Sequence, residues 1–444
     1  MTSLQRRKAS QPIAFTAQDS RRGRTLLPRR PKDGQDRAIT SGIWGMSVQS
    51  VRCWAQRPEN GECQMSTISA VLPLKAYGRR YIDDPGRCHI LLTSLATFAP
   101  VDMFEDIFVV VPARERAHAE ALRRDWQSLP LVVIDEEEIL PTFRDHPLTL
   151  NAGWYRQQLV KLCAANLTKT EFFITFDSDV ILTKPICVAD IVRDGKALLE
   201  PGDRAIHSRW WTGSGNILGV PVDLSAAGMA VTPAILSRTI CRRLFQHLED
   251  RSHQAWANLL LHKSLDNLFL NRARDNWSEY SLYYLLAEHD KVLFDYHFPP
   301  PSEDAARLHC QSSVWTKAQF AGWDPKYCFH RDTAGLFLIV QSSSAISLEL
   351  LCRRLNPHLP ITRPVTASLT HRLRSLWEDI RTVDGLFSWC DRSMGARASG
   401  KPARARGRRR LWRHNLPPRA RSVGGFKRTP PTVALAEGLL IGQC

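Results

Sequence analysis

The sequence lacks the features that are typical of membrane-spanning, secreted or zinc-binding proteins. No apolar run approaches the ~18 residues that a membrane-spanning helix needs, and no apolar stretch of secretory type follows the Arg-rich start. The 11 cysteines are odd in number and scattered, without a C-x-x-C pair or a histidine cluster at zinc spacing. We therefore predict no transmembrane segment, free thiols in a reducing compartment and a cytoplasmic location.

Enough apolar material is nevertheless present to build a core. The chain has 444 residues, of which 43% are hydrophobic and 23% charged, so it has room for one large domain or two ordinary ones. This composition excludes full-length disorder, a collagen and a small disulfide scaffold.

The net charge of +16 belongs to the two ends of the chain. Residues 1–60 carry 12 Lys and Arg against 4 Asp and Glu, and residues 395–444 carry 12 against 1, so the part between them is close to neutral. We interpret the ends as solvated, disordered basic tails. Contact with a polyanion or an anionic membrane surface is the alternative, and we expect no specific nucleic-acid partner.

The near-neutral part alternates between strand-like and helix-like segments. Continuous apolar runs at Ile68–Leu74, Asp106–Pro112 and Leu131–Ile134 are typical of parallel strands buried on both faces. Helical patterns at 88–98 and 114–126 separate them. This order predicts an α/β sandwich with a mostly parallel central sheet, in which ligands bind at the carboxyl ends of the strands.

A polar stripe follows one face of the next predicted helix, Gly153–Leu162. At ~100° per residue, Trp154, Gln157, Gln158 and Lys161 lie on one side. An aromatic ring, two amides and an ammonium pack poorly in a core but suit a polar, anionic ligand. A simple solvent-facing stripe is the alternative.

Two carboxylates follow the most apolar strand of the chain. The predicted strand Phe172–Phe176 ends in Asp177-Ser178-Asp179, and alternate residues of an extended chain point the same way. Two such charges repel unless a cation or hydrogen-bond donors neutralise them. Mg²⁺ or Mn²⁺ would do so, being held by one or two carboxylates and by substrate phosphates. The alternative is a turn in which the aspartates cap local N–H groups.

These two segments carry a recognisable pattern, W-x-x-Q-Q-x-x-K-L followed by F-D-S-D-V. Over roughly residues 66–345 the chain resembles a bacterial family of glycosyltransferase-like proteins of uncharacterised substrate, which looks like part of the GT-A superfamily with its D-x-D motif. The resemblance implies a GT-A-like, Rossmann-like α/β/α sandwich. It implies that Asp177 and Asp179 hold Mn²⁺ or Mg²⁺ and the diphosphate of a nucleotide-sugar. It also places three side chains near the nucleotide: Trp154, Gln158 and Lys161.

Further candidates lie downstream. We expect His207–Asn216 to form a loop whose Arg209 and Trp211 hold the sugar, or else simply pack the loop. Glu279 resembles the family's acidic residue at a helix start, which would contact the acceptor hydroxyl or act as base. Its spacing from Asn276 also fits a capping box, in which case it is structural.

A late histidine often completes the metal site of GT-A enzymes. His297 ends a predicted strand at Lys291–His297 and is our candidate, with His309 and His330 as alternatives that spacing does not separate.

The sequence thus predicts four segments and one activity. The segments are a basic, disordered stretch at 1–65, a GT-A-like glycosyltransferase domain at 66–345, a helical extension at 346–394 and an Arg/Pro-rich, disordered tail at 395–444. The activity is metal-dependent transfer of a sugar from a nucleotide-sugar to an unknown acceptor glycan or lipid, in the cytoplasm or at the periphery of the inner membrane. Cell-surface glycan synthesis is the usual bacterial context.

Two other functions compete with this prediction. In a haloacid-dehalogenase-type phosphatase, Asp177 would be the phosphorylated nucleophile and Asp179 the acid/base, but the expected later acidic cluster is missing between Val180 and Val340. In a non-enzymatic polyanion-binding protein the basic tails would act alone, and binding would weaken steeply with salt.

Overall fold

The computed structural model describes residues 67–77, 83–145, 152–270, 276–302 and 305–361. The two predicted disordered tails and most of the predicted extension at 346–394 lie outside these ranges.

Thirteen strands are present in the described residues: β1 (Ile68–Pro73), β2 (Phe104–Val111), β3 (Leu131–Asp135), β4 (Phe172–Thr175), β5 (Val180–Leu182), β6 (Val192–Arg193), β7 (Lys196–Leu198), β8 (Pro201–Asp203), β9 (Ala227–Met229), β10 (Ala234–Ser237), β11 (His297–Phe298), β12 (Arg307–His309) and β13 (Gly335–Ile339). The same residues form thirteen α-helices: α1 (Asp84–Phe98), α2 (Arg116–Asp125), α3 (Glu136–Ile139), α4 (Thr142–Asp145), α5 (Ala152–Cys163), α6 (Val188–Ile191), α7 (Ser208–Leu218), α8 (Arg238–Ser252), α9 (Trp256–Leu270), α10 (Glu279–His289), α11 (Leu293–Tyr296), α12 (Lys317–Ala321) and α13 (Leu348–Leu355). None of these helices is long and apolar enough to cross a membrane.

The largest sheet confirms the predicted α/β class. Its five strands lie in the order β10-β4-β1-β2-β3. Strands β4, β1, β2 and β3 are parallel, and only β10 at the edge runs antiparallel. The predicted strands at 68–74, 106–112, 131–134 and 172–176 are therefore all present, with ends that differ by one or two residues.

Helices cover both faces of this sheet, because alternate residues of each strand point to opposite sides. Val71 of β1 belongs to a hydrophobic cluster that includes residues of α5, α8, α9 and α10. Its neighbours Ala70 and Leu72 belong to a second cluster with residues of α1 and α2. The predicted three-layer sandwich with a mostly parallel central sheet is confirmed.

Two predicted elements were wrong. The expected loop at His207–Asn216 is mostly helix α7, since its glycines provide close packing rather than turns. A Cβ on Gly213 would lie 1.8 Å from the carbonyl oxygen of Asn276. The expected strand at Lys291–His297 is instead a helical turn, α11, followed by β11. Short apolar runs of this kind do not distinguish a strand from a helix.

Candidate functional site

The predicted aspartates lie at the carboxyl end of β4, beside the centre of the sheet. The N–H of Phe176 still bonds to Val71 of β1, at 2.8 Å, and the chain then turns through Asp177-Ser178-Asp179 into β5. A third of the Asp177 side chain is exposed. Asp179 accepts a 2.7 Å hydrogen bond from the N–H of Ser342, which follows β13. The turn is therefore fixed from two sides of the fold.

A buried lysine connects this turn to a second element. The Lys161 Nζ on α5 lies 2.8 Å from Asp177 Oδ1 and 3.2 Å from Glu279 Oε1, at the start of α10. It also donates a 2.7 Å hydrogen bond to Thr232 Oγ1. An ammonium has three donors, so these three partners match its capacity. The structure thus brings together Lys161, Asp177 and Glu279, three residues that the sequence singled out separately.

Behind the ammonium, a row of hydroxyls holds the lysine in place. Thr232 Oγ1 lies 2.6 Å from the Tyr280 hydroxyl, and that hydroxyl lies 2.7 Å from Thr175 Oγ1 on β4. All three side chains are buried. Sequence reasoning missed this row, because single hydroxyls in apolar surroundings give no pattern of their own.

Burial and opposite charges compete at these groups. Burial alone would lower the pKa of Lys161, but the surrounding Asp177, Tyr280 and Glu279 raise this pKa well above its ordinary value. Burial raises the pKa of Glu279, which Lys161 partly offsets and the charge of Asp177 reinforces. Burial and the neighbouring Asp177 also raise the pKa of Asp179. The site is thus a dense set of charges that depend on one another.

A third carboxylate, Asp84, belongs to this environment and was not predicted. It is 8% exposed and begins α1. Burial, the charge of Asp179 and then that of Asp177 raise its pKa to about 8, while Arg87 lowers it. The Arg87 guanidinium also donates to two carbonyls, at 2.8 and 3.0 Å. Asp84 lies more than ninety residues before the D-x-D motif, so only the parallel sheet brings them together.

Glu279 is not the capping residue that the alternative prediction required. The cap of α10 is Ser278, whose Oγ accepts from the N–H of Ser281 at 3.1 Å. The N–H of Glu279 donates instead to Gln158 Oε1, at 2.9 Å. Gln158 and Lys161 therefore both hold Glu279 from α5. These two members of the polar stripe are buried, whereas Trp154 is exposed and Gln157 is half-buried.

The other predicted sugar and nucleotide contacts are dispersed. Arg209 is exposed on α7. Trp211 is buried, with the guanidinium of Arg204 4.8 Å from its ring centroid and the Tyr284 ring at 5.6 Å. Trp154, at the start of α5, is 36% exposed and lies beside Trp210. The structure does not bring Arg209 or Trp211 into contact with Asp177.

The candidate histidines have other partners. His297 lies beside Phe172, the first residue of β4, whereas the aspartates follow its last residue. Its Nδ1 faces the carbonyl of Ala197 at 3.3 Å, so it must donate there, and Nε2 lies 2.7 Å from the Tyr283 hydroxyl. Burial lowers the pKa of His297 to about 4. His309 donates to a carbonyl 3.1 Å away, and His330 is exposed beside Asp332.

Metal binding at this turn would depend on few protein ligands. The described residues contain no group of three His, Cys, Asp or Glu side chains that could hold a metal ion. Lys161 contacts one oxygen of Asp177, and the amide of Ser342 contacts one oxygen of Asp179. Two carboxylates at a partly exposed strand end fit Mg²⁺ or Mn²⁺ in the mode where substrate phosphates and waters complete the shell.

Comparison with known proteins gives a family. The model of a family of unknown function, DUF6492, matches residues 65–363, and the chain belongs to this family. A comparison with curated proteins gave no match.

Two solved structures are similar to this chain over their whole length. Mouse xyloside xylosyltransferase 1 in its apo form is 12% identical, with 64% of this chain and 100% of that chain covered and a TM-score of 0.38. The galactosyltransferase LgtC, in complex with donor and acceptor sugar analogues, is 11% identical, with 69% and 100% covered and a TM-score of 0.34. Residues 1–349 of TarS from S. aureus, in complex with UDP, are 20% identical over 27% of this chain and 29% of that chain, with a TM-score of 0.19.

Proposed function

We propose that this protein is a metal-dependent glycosyltransferase of GT-A type, which moves a sugar from a nucleotide-sugar to an acceptor hydroxyl. One observation carries the proposal: a single buried ammonium, Lys161, joins the Asp177 carboxylate at the end of β4 to the Glu279 carboxylate at the start of α10. The first carboxylate serves the donor, and the second serves the acceptor.

On the donor side, Asp177 and Asp179 would hold the divalent cation together with the diphosphate. Both carboxylates lie at the carboxyl end of a central strand, where α/β sheets bind their ligands. A bound cation would neutralise the negative charge that develops on the departing diphosphate. Asp84 adds a further acidic group to the same region, so a cation there would relieve repulsion among carboxylates.

On the acceptor side, Glu279 accepts the proton. The acceptor oxygen forms a bond to the anomeric carbon, the bond from that carbon to the diphosphate oxygen breaks, and the hydroxyl proton passes to the Glu279 carboxylate. Lys161 favours the charged form of Glu279 even though burial disfavours it. Gln158 fixes the backbone of Glu279, so the carboxylate is positioned before substrate arrives.

Lys161 acts through the two carboxylates rather than on the nucleotide directly. The buried ammonium already has Asp177 and Glu279 as ion-pair partners and Thr232 as a hydrogen-bond acceptor, so a diphosphate would have to compete with these groups. This differs from the nucleotide contact that the family resemblance implies for Lys161. The side chain is a positioning group that favours the ionised form of Glu279 and holds this carboxylate beside Asp177.

Isothermal titration of the full chain with UDP and with GDP, with and without Mn²⁺, tests the donor half. We expect one diphosphate to bind only with the metal, and the affinity to fall at least tenfold in Asp179→Asn. The matched control is Asp102→Asn, which changes an exposed carboxylate before β2 and should bind as the wild type does. Metal-independent binding, or equal loss in both variants, would contradict the proposal.

Hydrolysis of the matching nucleotide-sugar, in which water replaces the acceptor, tests the role of Glu279. Glu279→Gln should bind the diphosphate as the wild type does but release sugar at least a hundredfold more slowly. If neither diphosphate binds and p-nitrophenyl phosphate is hydrolysed in a reaction that Asp177→Asn abolishes, the protein is a phosphatase and the proposal fails.

A further inference from the structure

A stack of three aromatic rings lies on the surface beside the candidate site. The rings of Trp154 on α5 and Trp210 on α7 are 5.3 Å apart, with their planes at 31°. Trp210 in turn stacks on His207, at 4.1 Å and 16°. We call these three residues the aromatic stack. Two of its members come from different helices, so the arrangement results from the tertiary fold and not from local sequence.

Part of this stack faces solvent. Trp154 is 36% exposed, Trp210 and His207 are half-buried, and the adjacent Ile206 is 71% exposed. Trp211, the next residue on α7, is 4% exposed and supplies core packing. Helix α7 therefore buries one indole and leaves the other at the surface. Partly exposed aromatic rings that already stack on one another offer a flat apolar face to a ligand.

Two connections join the stack to the first turn of α10, where Glu279 lies. Gln158 lies one helical turn from Trp154 on α5 and accepts the N–H of Glu279. On the other side, Ser281 of α10 donates to the carbonyl of Trp210, at 3.4 Å. Trp154 precedes Lys161 by seven residues, or ~10 Å along the helix. Trp154 and Lys161 thus lie about two helical turns apart on α5.

The order of contacts indicates which substrate the stack meets. At one end Ser342 donates to Asp179 of the D-x-D turn, and Lys161 joins Asp177 of the same turn to Glu279. At the other end Glu279 donates to Gln158, which lies one helical turn from Trp154. The donor diphosphate belongs at the Asp179 end of this series. The stack lies at the other end, beyond the group that takes the acceptor proton.

We propose that the aromatic stack binds a sugar ring of the acceptor. An indole presents a flat apolar face that matches the C–H face of a pyranose, and its polar edge tolerates the hydroxyls around it. Gln158 adds a buried amide donor, Nε2, that has no hydrogen-bond partner among the described residues. A sugar oxygen would satisfy that donor. The inference rests on the proposed function. It assigns Trp154 to the acceptor, whereas the family resemblance places this residue near the nucleotide.

The test uses the labelled full chain on a printed oligosaccharide array, in the presence of UDP and Mn²⁺, followed by titration with the glycan that binds best. Trp154→Ala and Trp210→Ala should each weaken glycan binding about tenfold or more, and Trp210→Phe should retain most of it. Trp315→Ala, which removes a 38% exposed indole elsewhere, is the matched control and should bind as the wild type does. Thermal melting establishes that each variant is folded.

The outcomes separate this inference from the proposed function. A wild-type chain that binds no glycan, or stack variants that weaken UDP binding as strongly as glycan binding, would overturn the acceptor assignment. Glycan binding that depends on the stack in a chain that binds neither UDP nor GDP would support the stack as a sugar site and refute the transferase.

Discussion

Replacing Lys161 by Met tests how far the site depends on one charge. Methionine has nearly the length of lysine but no ammonium, so Asp177 and Glu279 would lose a cation that lies 2.8 and 3.2 Å from them. The side chains of Lys161 and Glu279 are only 5% and 4% exposed, so water cannot replace the ammonium without opening the core. Removing one partner from a buried ion pair costs ~3–5 kcal/mol. We expect the free energy of unfolding of Lys161→Met to be lower than that of the wild type by this amount.

Urea denaturation followed by tryptophan fluorescence measures the effect, with Lys317→Met as the matched control. Lys317 is exposed at the start of α12, so its replacement should change stability by no more than ~0.5 kcal/mol. The double variant Lys161→Met, Glu279→Gln should recover part of the loss, because one of the stranded carboxylates is then neutral. A loss below ~1 kcal/mol at pH 7 would refute the reasoning.

The pH dependence of the stability of Lys161→Met provides an independent test of the same prediction. Burial already raises the pKa of Glu279, and Lys161 partly offsets that rise. Without the ammonium this pKa rises further in the folded state, so the folded chain binds more protons than the unfolded chain above pH 4. Stability then falls as pH rises. The deficit of Lys161→Met should therefore shrink between pH 7 and pH 4. In the wild type Lys161 is charged throughout this range, since its pKa is raised.

Three further predictions concern other parts of the fold. Gly213→Ala places a Cβ 1.8 Å from the Asn276 carbonyl oxygen and should lower the stability of the fold by ~1–3 kcal/mol or more, which thermal melting would detect. The control Gly322→Ala meets nothing within 4 Å and should leave stability unchanged. Burial raises the pKa of Glu115 to about 7, so the stability that its protonated form confers is present below pH 4.5 and is lost as pH rises through 7. Glu115→Gln should therefore be as stable as the wild type at pH 4 and more stable at pH 8, by up to roughly 3 kcal/mol in the free energy of unfolding. Denaturation curves that show the same difference at both pH values would contradict this. His297→Phe should lower the melting temperature and leave the UDP–Mn²⁺ affinity unchanged within about twofold, because both ring nitrogens have protein partners; a tenfold weaker affinity would instead support His297 as a metal ligand.

The central sheet could be predicted because its strands have a simple pattern. A parallel strand buried on both faces consists mostly of consecutive apolar residues. Strands β1 and β4 are buried throughout and mostly apolar, and β2 follows the rule from Ile107 onward. The helix at His207–Asn216 could not be predicted in this way. Its glycines are typical of a loop. The close approach of Gly213 to the backbone of Asn276 depends on a contact more than sixty residues away.

The candidate site shows the same division between local and distant information. The stripe on α5 was visible from its period, and the D-x-D turn from its spacing. The sequence did not indicate that Lys161 bridges Asp177 and Glu279, because spacing says nothing about which buried charges meet. Asp84 was missed for a related reason. A single acid in the first turn of a helix has an ordinary stabilising role there, and only its position near Asp179 makes it unusual.

The way in which these charges are distributed explains why one end of the polar stripe on α5, Gln158 and Lys161, is buried. Asp177 follows a strand and is a third exposed, whereas Glu279 begins a helix and is buried, so a charge on Glu279 needs a partner. Lys161 favours the charged form of Glu279, and the buried charge of Lys161 is offset in turn by Asp177 and Glu279. The ammonium and the two carboxylates therefore stabilise one another as a set. A substitution of Lys161 should affect both carboxylates at once, so pairs of variants are needed to separate its effect on donor binding from its effect on proton transfer.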